Sequence, residues 1–140
     1  MASIEAIEGI GKGKGKKLRS AGIASCERLL AEAGTKKGRK ALAAETGIDQ
    51  KQLLEWANRA DLMRVKGIGS QYSDLLERAG VDTVKELRKR RPDNLSVKMI
   101  EINDKRVKKS KKTIVKRPPS QAMVEAWATQ AKDMEPMVSH

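Results

Sequence analysis

Displaced by 58 residues, this chain falls on itself. Residues 4–29 align with 62–87, so that Gly9-Ile10-Gly11 meets Gly67-Ile68-Gly69 and Leu18, Ala21, Gly22 and Leu29 meet Leu76, Ala79, Gly80 and Leu87. Ile4, Ile7, Ile23 and Cys26 stand opposite Leu62, Val65, Val81 and Val84, apolar at every pair. The tails match as well, but at an offset of 71: Trp56-Ala57 and Ala60 meet Trp127-Ala128 and Ala131, with Leu53 on Val124 and Met63 on Met134. The offsets differ by 13 residues, which are an insertion in the second copy between about Asn103 and Pro119. A 140-residue chain with this repeat must build one small unit twice, each too small to bury a generous core alone. The division is a first unit at 1–61 and a second at 62–140, carrying the insert at about 104–119.

Apolar spacing and capping residues predict an all-α fold. A short apolar turn (Ile4, Ile7) runs into Gly-Ile-Gly, and the next helix passes Leu18 and stops at Ala21-Gly22, where a C-cap favours glycine. Ser25 caps a helix over 26–33, and its counterpart Thr83, with Glu86 three residues on, has the spacing of a capping box. Thr35 starts a further helix that Gly47 ends. Asp49 with Gln52 caps the one carrying Leu53, Leu54, Trp56, Ala57 and Ala60. Ser120, after Pro118-Pro119, takes Asp49's place in the second copy, and Pro136 ends the last helix. Met99–Ile102 alone alternates, over too short a run to make a strand.

The pattern apolar-x-x-apolar-x-Gly-Ile-Gly, followed four residues later by a small residue (Gly15, Ser73), resembles the helix-hairpin-helix motif. The downstream Ala-Gly-Ile/Val-x-Ser/Thr is similar to the small, SAM-like helix-hairpin-helix domain at the N-terminus of RecA-type recombinases. Two such units at this spacing resemble the bacterial family termed domain of unknown function 4332, over about residues 4–103 and 120–134. The resemblance implies tandem hairpins that hold a DNA backbone through main-chain contacts, independent of base sequence. Physically, the glycines let the chain turn between helices, and the first-turn N–H groups then point outward without partners. Those donors and the helix dipole suit a phosphate oxygen. Gly9, Gly11, Lys12, Gly13 and Lys14 would form one phosphate site, with Lys16 and Lys17 beside it. Gly67, Gly69, Ser70, Gln71 and Tyr72 would form the other, with Lys66 as its adjacent cation. The second hairpin is otherwise polar and admits a purely structural reading equally well. Gly15-Lys16-Lys17 is no phosphate-binding loop of the nucleotide-hydrolase kind, since it lacks the Ser/Thr, the glycine five residues upstream and a preceding strand.

The net charge of +12 is concentrated in the insert. Residues 104–117 hold eight basic side chains (Lys105, Arg106, Lys108, Lys109, Lys111, Lys112, Lys116, Arg117) against one acidic, more than half the excess. Three readings of the tract stay open: a solvated loop, an arm along a phosphate backbone, and a nuclear-import signal. As an extended arm, residues 104–117 would reach roughly 45–50 Å. Such a balance points to a polyanion partner.

With no Phe, one Tyr and two Trp, aromatic pockets and base-stacking platforms are excluded, and one Cys and one His exclude disulfide frameworks and zinc fingers. Trp56 and Trp127 read as core anchors, and Cys26 as a small buried apolar residue. No catalytic constellation, cofactor loop, signal peptide or membrane-length apolar run is present. The expectation is a non-catalytic, sequence-independent double-stranded DNA binder without cofactor, metal, membrane or small-molecule partner, cytoplasmic and nucleoid-associated. The alternatives are a protein-protein adaptor on the same fold, or a binder of structured RNA or the ribosome.

Overall fold

Side-chain caps set most of the helix starts. A computed structural model of the chain describes residues 3–110 and 114–139, without the side chains of 106–110. After a 3-10 turn at Ile4–Ala6 come α1 (Lys12–Ser20), α2 (Cys26–Ala33), α3 (Lys36–Thr46) and α4 (Gln50–Leu62). Then follow α5 (Ser70–Arg78), α6 (Val84–Leu87), α7 (Pro92–Ser110) and α8 (Gln121–Lys132). Ser25, Thr35, Asp49, Thr83 and Ser120 each accept a first-turn backbone N–H. At Thr83 the bond comes from Glu86 N at 3.5 Å, while the Glu86 carboxylate takes Arg90. The chain is all-α. Among the described residues there is no strand, only a lone antiparallel bridge between Ser3 and Ser25. No described helix is long and apolar enough to cross a membrane.

Two apolar clusters form, and they divide along the repeat. One gathers Ile4, Ile7, Leu18, Ile23, Cys26, Leu29, Leu53 and Trp56. The other gathers Leu62, Val65, Leu76, Val81, Val84, Leu87, Met99 and Val115, with Val124 and Trp127. Met63 packs on the first and Met134 on the second, as their alignment requires. The Cys26 thiol is fully buried, donates to Ser3 O at 3.4 Å, and has its pKa pushed up by burial. Arg19 closes the 3-10 turn onto α1 by gripping both Glu5 oxygens, at 2.7 and 2.8 Å.

That pairing, foremost the Arg19 hydrogen bond, lowers the Glu5 pKa from 4.5 to about 2. A lowered folded-state pKa stabilises above the unfolded value and is lost as pH falls from about 4.5 towards about 2. Glu5→Gln should therefore flatten the fall of Tm across that window and leave the difference from wild type constant above pH 6; a parallel fall in both proteins would contradict the assignment.

The insert departs from expectation. α7 runs unbroken from Pro92 to Ser110, through Met99–Ile102 and into the basic tract. Residues 104–110 are thus a helical extension and not part of an extended arm, because Lys and Arg are good helix formers and cations suit a helix C-terminus. The chain returns at Ile114 and Val115, whose N–H groups donate to Asn103 Oδ1 at 2.9 and 3.1 Å, while Asn103 Nδ2 donates to Val115 O at 3.1 Å. Val115 is buried in the second cluster, so it belongs to the fold and not to the insert. α8 ends at Lys132, four residues before Pro136, and residues 135–139 beyond it form neither helix nor strand.

Candidate nucleic-acid interface

The first hairpin turns on Gly9, whose φ of +96° only glycine adopts without strain. A Cβ there would lie 3.6 Å from Trp56 Nε1, so the indole sets the floor of the turn. Gly11 is the N-cap of α1 and offers no side chain to the first turn; helical bonding begins with Gly15 N to Gly11 O at 2.8 Å. The Lys12, Gly13 and Lys14 N–H groups thus precede the first intrahelical bond, on an exposed surface. Lys12, Lys16 and Lys17 are exposed, and none meets an acceptor among the described residues. Lys16 and Lys17, with Gly13, Ser20, Glu45 and Thr46, line a cleft of about 380 Å³. Lys14 is different: its Nζ donates to Gln52 Oε1 at 2.6 Å and lies 5.8 Å from the centre of the Trp56 ring, tying α1 to α4.

The second hairpin repeats the backbone and changes the chemistry. Gly67 has φ +97°, and its Cβ position is 3.0 Å from Trp127 Nε1. Gly69 caps α5 without a side chain, and Ser73 N donates to Gly69 O at 2.9 Å. Ser73, fully buried, donates its hydroxyl to Ser70 O. Gln71 is exposed at the start of α5, as is the Lys66 side chain just before the turn. Tyr72 leans on Trp127, with ring centres 5.2 Å apart, and donates its hydroxyl to Arg117 O at 3.0 Å. The tyrosine therefore fixes the returning end of the basic tract beside the second hairpin, bringing the exposed Lys116 and Arg117 to a turn that has few cations of its own.

The hairpins adjoin each other. Ser70 Oγ, in the first turn of α5, donates to Glu8 Oε2, on the residue before Gly9, at 3.5 Å. Arg59 of α4 reinforces the junction, since it donates to Glu8 O at 2.5 Å and to Glu77 Oε2 at 2.6 Å, with Asp74 Oδ1 3.1 Å from its Nη2. Gln130 does the matching work in the second repeat, accepting Lys66 N at 3.0 Å and donating to Lys66 O at 3.2 Å. Arg59 and Gln130 belong to no motif in the sequence, yet they correspond at the offset of 71 and each grips the residue before its hairpin glycine.

The rest of the basic tract divides. Lys105 is exposed on α7, as are Lys116 and Arg117 on the return. The side chains of Arg106, Lys108 and Lys109, and the whole of Lys111 and Lys112, lie outside what the structure describes.

A family described as a domain of unknown function (DUF4332) matches residues 8–134. No curated protein and no solved structure matches the chain.

Proposed function

The chain belongs to the DUF4332 family, and from that premise we propose that its repeats are two helix-hairpin-helix units that bind double-stranded DNA without catalysis and without base preference. The observation that carries the reading is the junction of the hairpins, where Glu8 of one meets Ser70 of the other, with unpaired Lys12, Lys16 and Lys17 on one flank and Lys116 and Arg117 on the other. First-turn N–H groups and lysines there would grip phosphate oxygens, which positions a protein on a duplex and specifies no bases. Lys66 and Lys105, with Arg106, Lys108, Lys109, Lys111 and Lys112, would extend the footprint along the backbone. Such a protein would be nucleoid-associated and cytoplasmic.

Titration of random-sequence duplexes at about 50 mM salt is expected to give binding below about 10 μM protein, and its absence would sink the proposal. A protein adaptor is the second reading, favoured by the acidic pairing beside the second hairpin, where the Asp74 and Glu77 carboxylates flank the Arg59 guanidinium. Partners retained after nuclease digestion, together with failure of the duplex titration, would select it.

A further inference from the structure

We propose that the turn between α2 and α3 is a docking groove for a non-helical peptide segment, occupied by this chain's own Glu135–Ser139, which latches the second repeat onto the first. The last carbonyls of a helix have no helical partners. Here Ala33 O and Gly34 O receive Arg39 Nη1 at 3.0 and 3.1 Å, and Gly34 O also receives the Ser139 N–H at 2.8 Å. Arg39 Nη2 donates to Ser139 O at 2.6 Å. Both backbone groups of Ser139 are thereby taken, its N–H by the end of α2 and its C=O by the guanidinium that crosses that end.

Arg39 is only 3% exposed, and its guanidinium donates to three carbonyls, one of them the segment's. Burial lowers its pKa from the ordinary value, and a buried cation that loses an acceptor is costly. Val138 packs on the first apolar cluster. Gly34 has ordinary helical φ and ψ, so its need for glycine is steric: a Cβ would come within 2.4 Å of Met137 O and 2.6 Å of Leu30 O. At the segment's other end Arg64 Nη1 donates to Glu135 O at 2.9 Å. Pro136 has no N–H to donate and disfavours helical geometry at the residue before it, so the segment does not resume a helix. Beside it a cleft of about 480 Å³ runs between Thr35 of the first repeat and Thr83 and Lys85 of the second. Recognition therefore uses the main chain of Glu135 and Ser139, the Ser139 hydroxyl, which donates to Gly34 O at 3.5 Å, and the Val138 side chain. The tether supplies that occupant at high effective concentration.

Amide exchange on the full chain tests the seat. The Ser139 amide should exchange about a hundredfold slower than an unstructured one, and Arg39→Lys should remove at least about tenfold of that protection. A synthetic peptide of residues 133–139 is then titrated into full chains carrying Val138→Asp, or Ser139→Pro, which deletes the N–H without touching the core. Resonances of Gly34, Thr35 and Arg39 should shift in both variants, with the wild type responding at least about tenfold more weakly because its groove is filled. An unprotected Ser139 amide, equal response in wild type and variants, or shifts elsewhere would overturn the groove. Concentration-dependent dimerisation of the wild type, with loss of the Ser139 protection on dilution, would overturn its assignment to the same chain.

Discussion

Raising salt from 50 to 200 mM is expected to weaken duplex binding about a thousandfold, with log affinity falling against log salt at a slope of about −5. The figure follows from about six neutralised phosphates at about 0.9 each. The side chains of Lys12, Lys16, Lys17, Lys66, Lys105, Lys116 and Arg117 are exposed and meet no partner among the described residues, whereas that of Lys14 is already held by Gln52. Substituting glutamine for Lys12, Lys16 and Lys17 should raise the slope to about −3 by removing three contacts. Glutamine at Lys14 should leave it near −5 and act on stability, since it would lose the tie to α4. A slope unmoved by the triple substitution would shift the grip to the basic tract. That tract is best tested by glutamines at Lys105, Arg106, Lys108 and Lys109. Deletion of 104–117 would remove Val115 from the second apolar cluster and confound charge with folding.

Loss of Arg59 is expected to be the most damaging single change outside the apolar clusters. Its side chain is 15% exposed, and its acidic partners Asp74 and Glu77 are 10% and 26% exposed. Arg59→Ala leaves both with less compensation, frees Glu8 O, and should lower unfolding free energy by about 3 kcal/mol. That is a large share of the roughly 5–15 kcal/mol of a domain. The repeat supplies a control, because Gln130 grips Lys66 O from the equivalent place. Arg59→Gln should keep a donor for Glu8 O and recover about 1 kcal/mol of the loss. Urea denaturation separates the two; identical losses would show that the hairpin carbonyl contributes nothing.

Local chemistry was legible in advance where a residue acts on its near neighbours. Ser25, Thr35, Asp49, Thr83 and Ser120 cap the helices their spacing assigned them, and Trp56 and Trp127 are both 2% exposed. Gly9 and Gly67 take the positive φ that the turn required. The length of α7 was hidden, since a change of repeat offset marks where extra residues lie and says nothing of their conformation. Arg59 was hidden because its partners Glu8 and Glu77 are 51 and 18 residues away. For the candidate site, the exposed hairpin lysines could be read from sequence. The approach of Arg117 to Tyr72 could not, because a tyrosine hydroxyl bonded to a backbone carbonyl leaves no trace in the carbonyl's residue type.

Asn103 gives the basic tract a neck. One amide side chain satisfies the backbone at Ile114 and Val115, so the two ends of the excursion are tied together by a group belonging to neither the tract nor the return. Residues beyond Asn103 can then change in number, the last turns of α7 with them, while α7 up to Asn103, Val115 and the second hairpin keep their places. The chain thus carries a socket in which the number and sign of charges can be rewritten, with the helical scaffold indifferent to the edit.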